Sequence, residues 1–342
     1  MDAAGGPRER RRPVGRRSVP VRMNQASTTQ DPPRRPLPLA LVKLARPHQW
    51  AKSIFVLLGP LYGLREYRGE WTDLAVDALL ASGAFALASS ACYVVNDLAD
   101  APLDRNHPRK RLRPIARGEV TAGQAAVFAA VLLACAAGLA LASGGWVLGV
   151  LVGAYVVNVV AYSLRLKHVV IVDVMSLSLG FVLRVAGGCA AAGIAPSTWL
   201  LNVTLFFSMF LALGKRLGER RSLGDGAGAA RSVQKSYTDD LLRMLVVVTA
   251  VATLVTYAAY IVGRADAGAV VRLWSPGGDV NVLWATLIPA TYALLRCIVL
   301  LERGEYDDPT ELATRDWPTQ AAGVLFVLAS IGAALWHRLA GV

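Results

Sequence analysis

The chain has 342 residues, of which 54% are hydrophobic, and its formal net charge is +12. Its mean hydropathy is positive, at +0.43, and apolar runs of about 20 residues recur along it, the length that a helix needs to cross a bilayer. This composition excludes an ordinary soluble domain. In such a chain we expect the positive charge to lie at one face of the membrane, as its distribution below indicates, and not in a nucleic-acid groove.

Residues 1–37 are predicted to form a disordered, basic, cytoplasmic tail. Seven arginines and three prolines fall within the first 22 residues, and no apolar face is available for packing. The region lacks the apolar stretch of a signal peptide, so we expect it to stay attached. Two interpretations of this tail are equally good. It is either loosely attracted to anionic lipid headgroups or a dispensable extension.

Residues 38–342 are predicted to form an all-α, polytopic membrane domain with nine transmembrane helices. The segments are continuously apolar and rich in Ala, Leu and Val, which indicates helices and not the alternating strands of a barrel. The first segment continues a broken helix from about residue 38. The nine predicted segments are 53–64, 73–96, 122–142, 145–164, 169–192, 198–214, 240–263, 281–301 and 318–340.

The distribution of lysine and arginine predicts the orientation of these segments. With the N-terminus inside, 28 of these residues lie on the inner side and 5 on the outer side, a strong positive-inside asymmetry. We therefore expect a multi-pass protein of the plasma membrane, in contact with membrane lipids, with its N-terminus and active site on the cytoplasmic face. Whether it forms a homo-oligomer stays open.

Residues 96–113 combine acidic and basic side chains where an apolar segment ends. Asp97, Asp100 and Asp104 fall within one third of a helix circumference. Carboxylates suit a hard cation such as Mg²⁺, and basic side chains suit phosphate oxygens. The basic residues are Arg105, Arg109, Lys110, Arg111 and Arg113. The pattern predicts a site for a magnesium-bound diphosphate, with an ordinary solvated loop as the alternative.

The run from Asn96 to Gly118 resembles the first Asp-rich signature of the UbiA superfamily of intramembrane prenyltransferases. That signature is Asn-Asp-x-x-Asp-x-x-x-Asp followed by Lys-Arg-x-Arg-Pro-Ile, which here ends at Ile115. The resemblance covers about residues 38–340 and implies a bundle of nine helices. Residues 46–52 (RPHQWAK) and 162–167 (YSLRLK) are similar to the branch that transfers phosphoribose to decaprenyl phosphate, which makes the lipid-linked pentose precursor of cell-wall arabinan.

The resemblance implies a Mg²⁺-dependent pentosyltransferase that uses phosphoribosyl diphosphate and decaprenyl phosphate. The metal ligands it implies are Asn96, Asp97, Asp100 and Asp104, with Asp97 ranked below the others. The predicted catalytic residues are Asp97, Asp100, Asp104, Tyr162, Lys167 and Asp173. The predicted substrate-binding residues are Lys52, Arg109, Lys110, Arg111, Arg113, Lys215, Arg216, Glu219 and Tyr237.

The loop after the sixth segment departs from the superfamily pattern. Most members carry a second Asp-rich motif there for a second magnesium ion. In this chain Lys215, Arg216 and further cations replace much of the acidic pattern. We therefore expect this loop to bind phosphate directly.

Two charged residues fall within the fifth predicted segment. Asp173 is costly in an apolar helix unless it is paired or ligated, so we expect it to be functional. Arg184 lies about 16 Å further along the helix. We expect it to be too deep for the magnesium site and to extend toward the far side of the membrane.

Two alternative functions stay open. One is a prenyltransferase of the same superfamily that moves a prenyl group from prenyl diphosphate to an aromatic acceptor. The other is a lipid transporter or scaffold, which would favour mid-membrane polar residues and repeated halves. The four cysteines are widely spaced and indicate neither a zinc site nor a structural disulfide.

Overall fold

The structure is a computed structural model that describes residues 34–64, 66–107, 110–223, 237–263, 270–272, 279–305 and 315–339. The predicted helical class is confirmed. The α-helices are α1 (Leu37–Ala45), α2 (Leu58–Gly63), α3 (Trp71–Asp104), α4 (Ala122–Leu164), α5 (Val172–Ala191), α6 (Thr198–Leu223), α7 (Asp239–Gly263), α8 (Trp284–Arg303) and α9 (Trp317–Leu339). The 3₁₀ segments are Pro47–Leu57, Lys110–Leu112 and Leu166–His168. Strands β1 (Val270–Arg272) and β2 (Asp279–Asn281) form a short antiparallel pair.

Six helices of the described chain, α3 to α8, are long and apolar enough to cross a membrane. Their outer faces carry large apolar side chains such as Leu79, Val127, Val150 and Ile288, each at least 60% exposed. These side chains would be unfavourable in water, but they match the hydrocarbon of a bilayer. The chain is therefore a multi-pass membrane protein. Residues 1–33 of the predicted basic tail lie outside the described residues.

Helix α4 consists of two helical segments that meet at Gly145. A straight helix of its 43 residues would be about 65 Å long, roughly twice the hydrocarbon thickness of a bilayer. Gly145 has φ 59° and ψ −151°, outside the helical region, and this left-handed φ favours glycine. The chain turns there, as the predicted boundary between segments 122–142 and 145–164 requires. Thr121 and Gln124 form a capping box at the start of the helix.

Small residues allow α3, α4, α5 and the 3₁₀ segment Pro47–Leu57 to pack closely. Alanines such as Ala84 and Ala140 are completely buried between them, which is the usual chemistry of helix contacts in membranes. At Gly188 of α5, a Cβ atom would overlap the carbonyl oxygen of Val56. This contact seats the 3₁₀ segment against α5, and at the other end of the segment Arg46 reaches Asp97 near the end of α3.

The predicted boundaries at 96 and 214 were wrong. Helix α3 continues through Pro102 to Asp104, because Val94, Asp97, Ala101 and Asp104 remain on a buried stripe. Helix α6 continues to Leu223, and therefore Lys215, Arg216 and Glu219 lie on a helix and not in a loop. The buried stripe extends there too, because Leu213 and Leu217 are both buried, four residues apart.

Candidate active site

The last turns of α3 carry three oxygen-bearing side chains on one face. Asn96, Asp100 and Asp104 are spaced four residues apart, so they lie above one another in a helix of 3.6 residues per turn. Nδ2 of Asn96 donates to Oδ2 of Asp100 at 3.0 Å. Because α3 remains helical through Pro102, this face continues unbroken to Asp104. We call these three residues the acidic face.

Asp97 lies only about 20° around α3 from Asp104, but unlike Asp104 it does not line the cavity described below. It is only 2% exposed, and its Oδ1 accepts from Nη2 of Arg46 at 2.6 Å and from Nη1 of Arg113 at 3.1 Å. The same Nη1 of Arg113 lies 2.8 Å from Oδ2 of Asp104. Asp97 thus anchors two arginines. This placement favours a positioning role over the predicted metal-binding and catalytic roles.

A cavity of about 520 Å³ adjoins the acidic face. It lies between α3, the second half of α4, the first half of α5 and the 3₁₀ segment Pro47–Leu57, which brings together the three motifs quoted from the sequence. The predicted site residues that line it are Lys52, Asn96, Asp100, Asp104, Lys110, Arg113, Tyr162 and Lys167. Polar lining residues that were not predicted are Arg46, Ser89, Tyr93, Tyr155, Asn158, Ser163, His168, Ser176 and Arg184.

Hydrogen bonds between segments hold two walls of the cavity. Nε1 of Trp50 donates to Oγ of Ser90 at 2.9 Å, and Ser90 donates to the carbonyl oxygen of Ala45 at 2.7 Å. This link attaches the segment that carries Lys52 to α3. On the opposite wall, Nδ2 of Asn158 donates to the carbonyl oxygen of Ser176, and the Ser176 hydroxyl donates back to Oδ1 of Asn158. Helices α4 and α5 are therefore fixed to each other along the cavity.

The acidic face has the chemistry of a magnesium site that is completed by substrate. Mg²⁺ prefers oxygen ligands and is commonly held by one or two carboxylates together with substrate phosphates. Asp100 and Asp104 supply two carboxylates, and the carboxamide oxygen of Asn96 supplies a third hard donor. Within the described ranges, no group of three or more His, Cys, Asp or Glu side chains could hold a metal ion by itself. The residues present therefore fit a magnesium–diphosphate pair better than a metal bound by protein alone.

A separate buried cluster lies where α5, α6 and the start of α7 meet. Nη2 of Arg216 lies 2.5 Å from Oδ2 of Asp173, and the Tyr237 hydroxyl donates to Oδ1 of Asp173 at 2.8 Å. The backbone N–H of Ile171 donates to the same hydroxyl at 2.7 Å. Burial raises the pKa of Tyr237 to about 12, so the phenol stays protonated and keeps donating to Asp173.

This cluster fixes the turn that precedes α5. Ile171 has a positive φ of 69°, which is unfavourable for a β-branched residue, and its bond to Tyr237 holds it there. Lys167, which lines the cavity, lies in the 3₁₀ segment just before this turn. Asp173, Arg216 and Tyr237 do not themselves line the cavity, so their placement favours positioning over the predicted catalytic and substrate-binding roles.

The remaining predicted residues lie apart from the cavity or outside the described chain. Lys215 and Glu219 are on α6 and are not among the cavity-lining residues. Arg111 lies in the 3₁₀ segment Lys110–Leu112 but, unlike Lys110, does not line the cavity. Arg109 lies outside the described residues.

The chain matches the UbiA prenyltransferase family over residues 54–319. It belongs to this family. A decaprenyl-phosphate phosphoribosyltransferase from Mycolicibacterium smegmatis is 35% identical over 321 residues, covering 91% of this chain and 97% of the relative. A protein of the same name from Corynebacterium glutamicum is 33% identical over 289 residues, covering 84% of each chain.

Solved structures show the same UbiA fold. A UbiA homolog from Archaeoglobus fulgidus, bound to GPP and Mg²⁺, has a TM-score of 0.60 at 15% identity, with 86% of this chain and 98% of that chain covered. At this identity the likeness concerns the fold alone. The cavity in this UbiA protein is therefore described by its own residues.

Two basic residues of the UbiA cavity were missed by the sequence interpretation. Arg46 belongs to the quoted run 46–52, from which only Lys52 was selected. Arg184 was expected to extend toward the far side of the membrane, and this was wrong: it lines the cavity. Its Nη1 donates to the carbonyl oxygen of Gly180, one turn earlier in α5. A helical side chain leans toward the N-terminus of its helix, and that direction was the available signal.

Proposed function

We propose that this protein transfers 5-phosphoribose from phosphoribosyl diphosphate to decaprenyl phosphate, or a similar polyprenyl phosphate, and releases diphosphate. The product is the lipid-linked precursor of cell-wall arabinose units. The observation that carries the proposal is the cavity, in which the acidic face adjoins a surplus of basic side chains. The names of the relatives that cover most of the chain support it.

The charge of the cavity fits two phosphorylated substrates. Six basic side chains line it, against the two carboxylates of Asp100 and Asp104; the six are Arg46, Lys52, Lys110, Arg113, Lys167 and Arg184. Phosphoribosyl diphosphate carries a diphosphate and a phosphate, and the acceptor carries another phosphate. Together with one Mg²⁺, these groups match the surplus of cations. A prenyl diphosphate with an aromatic acid carries less negative charge.

In the proposed reaction, a phosphate oxygen of the acceptor forms a bond to C1 of the ribose while the bond from C1 to the diphosphate oxygen breaks. The electron pair of that bond leaves with the diphosphate. Mg²⁺ bound at the acidic face would neutralise the departing diphosphate as a Lewis acid. Arg113 and Lys110 lie beside the acidic face and stabilise the same developing charge. The ionised acceptor phosphate needs no strong general base, so none is assigned.

We place the cavity on the cytoplasmic face of the plasma membrane. The donor is water-soluble and charged, so it must enter from an aqueous side, and the strong inner excess of lysine and arginine selects the cytoplasm. The acceptor keeps its hydrocarbon chain in the bilayer. In this arrangement the chain crosses the membrane nine times, with α4 counted as two crossings on either side of Gly145.

The direct test is lipid-linked product formation by the full chain, purified in detergent. Labelled phosphoribosyl diphosphate, decaprenyl phosphate and Mg²⁺ are expected to give label in the organic phase, with a mass that corresponds to decaprenyl phosphate plus ribose phosphate. Reactions without acceptor are the control.

The rival prenyltransferase function is tested in the same preparation. Prenyl diphosphate and 4-hydroxybenzoate replace the two substrates, and the organic phase is analysed by mass spectrometry. A prenylated aromatic product together with no pentose in any lipid would contradict the proposal.

A further inference from the structure

Arg184 is a buried cation in the middle of α5, and it lines the cavity. It is only 4% exposed. Nη1 donates to the carbonyl oxygen of Gly180 at 3.0 Å, and Nη2 donates to the Tyr155 hydroxyl at 2.9 Å. Nε is buried and has no hydrogen-bond partner. Part of the guanidinium's donor capacity is therefore unused.

The charge of Arg184 is also not neutralised by a carboxylate within the described part of the chain. Its guanidinium carbon lies 4.4 Å from the centre of the Tyr155 ring, with Phe181 and Phe85 at 5.7 and 5.9 Å. Aromatic faces attract a cation, but more weakly than a carboxylate does when both are desolvated. The other buried arginine in the described residues, Arg216, is paired with Asp173. An unpaired buried charge is costly, which indicates that an anionic ligand supplies the missing partner.

The position of Arg184 separates it from the acidic face. Phe85, which packs against its guanidinium, precedes Asp100 by 15 residues, or about 22 Å along α3. Arg184 also acts on the Cys92 thiol, which precedes Asp100 by 8 residues, so its guanidinium lies about 12 to 22 Å along α3 from Asp100. A diphosphate held at the acidic face would therefore not occupy Arg184, and a different phosphate group could bind there.

We infer that Arg184 binds a phosphate monoester at the inner end of the cavity, with Tyr155 orienting its guanidinium. This inference rests on the proposed function, whose substrates carry two such groups. One is the 5-phosphate of the donor, and the other is the phosphate of the lipid acceptor. Both have the same chemistry, and a planar guanidinium suits either of them.

The source of the phosphate is decided by steady-state kinetics with two variants. Arg184→Met removes the charge and keeps the side-chain length, whereas Arg184→Lys keeps the charge and loses the planar fork. Arg184→Met is expected to raise the KM of one substrate about 10- to 150-fold and that of the other less than about threefold. For Arg184→Lys, the KM of the affected substrate is expected to lie between the values for Arg184→Met and the wild type. A change in the donor KM identifies the 5-phosphate, and a change in the acceptor KM identifies the lipid phosphate.

Ligand-induced thermal stabilisation tests the same contact without turnover. The probes are ribose 5-phosphate and farnesyl phosphate, with ribose and farnesol as their uncharged controls. One phosphorylated probe is expected to raise the Tm of the wild type but not that of Arg184→Met. The control variant is Arg303→Met, at an exposed site on α8, and the same probe is expected to raise its Tm as it does that of the wild type. If Arg184→Met does not fold, the rise in Tm caused by the phosphorylated probe is compared between Arg184→Lys and the wild type instead.

Unchanged values of both KM, an equal rise in both, or equal stabilisation of wild type and variant by both probes would overturn the inference. A wild-type protein that makes no lipid-linked pentose would contradict the proposed function instead. In that case the probe measurement still decides whether Arg184 binds a phosphate monoester.

Discussion

Arg216 of α6 lies 2.5 Å from Asp173 of α5, and both side chains are buried. Breaking a buried ion pair by removing one partner leaves an uncompensated charge, whereas removing both partners is far less costly. The pair is joined to the turn before α5 through Tyr237 and Ile171. Neither side chain lines the cavity, so we expect the pair to affect the cavity only indirectly, through the turn that follows Lys167.

Arg216→Met is expected to destabilise the protein by about 3–5 kcal/mol, because it isolates the Asp173 carboxylate. Thermal unfolding in detergent measures the loss. Adding Asp173→Asn to the same chain should restore part of the stability, since the buried charge disappears. In the folded protein, the donor KM should change less than about threefold. A rise of about 10- to 150-fold would show a direct phosphate contact instead.

Asp316 caps helix α9 and is paired with α8. Its Oδ2 accepts from the backbone N–H of Thr319 at 3.0 Å, and Arg296 donates to both carboxylate oxygens at 2.6 and 2.7 Å. The hydrogen bond from Arg296, followed by those from Thr319, holds the pKa of Asp316 well below its usual range. Asp316→Ala removes both the cap and the pair, whereas Asp316→Asn keeps a capping oxygen. We expect Asp316→Ala to lower the Tm more than Asp316→Asn does.

The pH dependence of this contribution has a definite sign. Because the folded pKa is depressed, the ionised form stabilises the protein fully above the unfolded pKa of about 4, and the contribution is lost as the pH falls toward the folded pKa. The Tm difference between the wild type and Asp316→Asn should therefore shrink when the pH is lowered from about 6 to about 3. A difference that stays constant over this range would show that the charge of Asp316 adds no stability.

Local periodicity was sufficient to predict the acidic face, and it failed where distant segments meet. Asn96, Asp100 and Asp104 follow from helical spacing alone. Asp97 shares their helical spacing, but a one-dimensional pattern does not contain Arg46, which is 51 residues away and pairs with Asp97 outside the cavity lining. The ion pair between Asp173 and Arg216 depends in the same way on how α5 and α6 pack.

The parts of the fold that depend on the length of the apolar runs were predictable from the sequence. Apolar runs predicted the membrane helices, and Gly145 lies at the predicted division of α4. The end of α6 was placed too early because the charged residues after Gly214 were interpreted as loop. The membrane segment of α3 was ended at 96, although the spacing of its carboxylates already indicated that the helix continues. The buried stripe through Leu217 continues α6 beyond Gly214, and such a stripe becomes visible only when the neighbouring helices are known.

The orientation of the bundle can be tested with single-cysteine reporters. Cys135 is the exposed native cysteine, and Cys92, Cys189 and Cys297 are buried, so Cys135→Ser provides the background. Arg105→Cys should react with a membrane-impermeant thiol reagent only from the cytoplasmic side, and Arg68→Cys only from the opposite side. Both positions are exposed. Labelling of both from one side would mean that α3 does not cross the membrane.

The last prediction separates the two roles of the acidic residues on α3. Chelation with EDTA should abolish turnover, and excess Mg²⁺ should restore it. Asp100→Asn should lower kcat/KM at least ~100-fold, comparable to the loss of a principal charge-stabilising group, and should raise the Mg²⁺ concentration needed for half-maximal rate.

Asp97→Asn should leave that Mg²⁺ concentration nearly unchanged and raise the donor KM, because Arg46 and Arg113 lose their anchor. The control is Asp73→Asn, at the exposed opposite end of the same helix, with wild-type kinetics expected. If Asp97→Asn raises the Mg²⁺ requirement as much as Asp100→Asn does, Asp97 is a metal ligand and the positioning role is wrong.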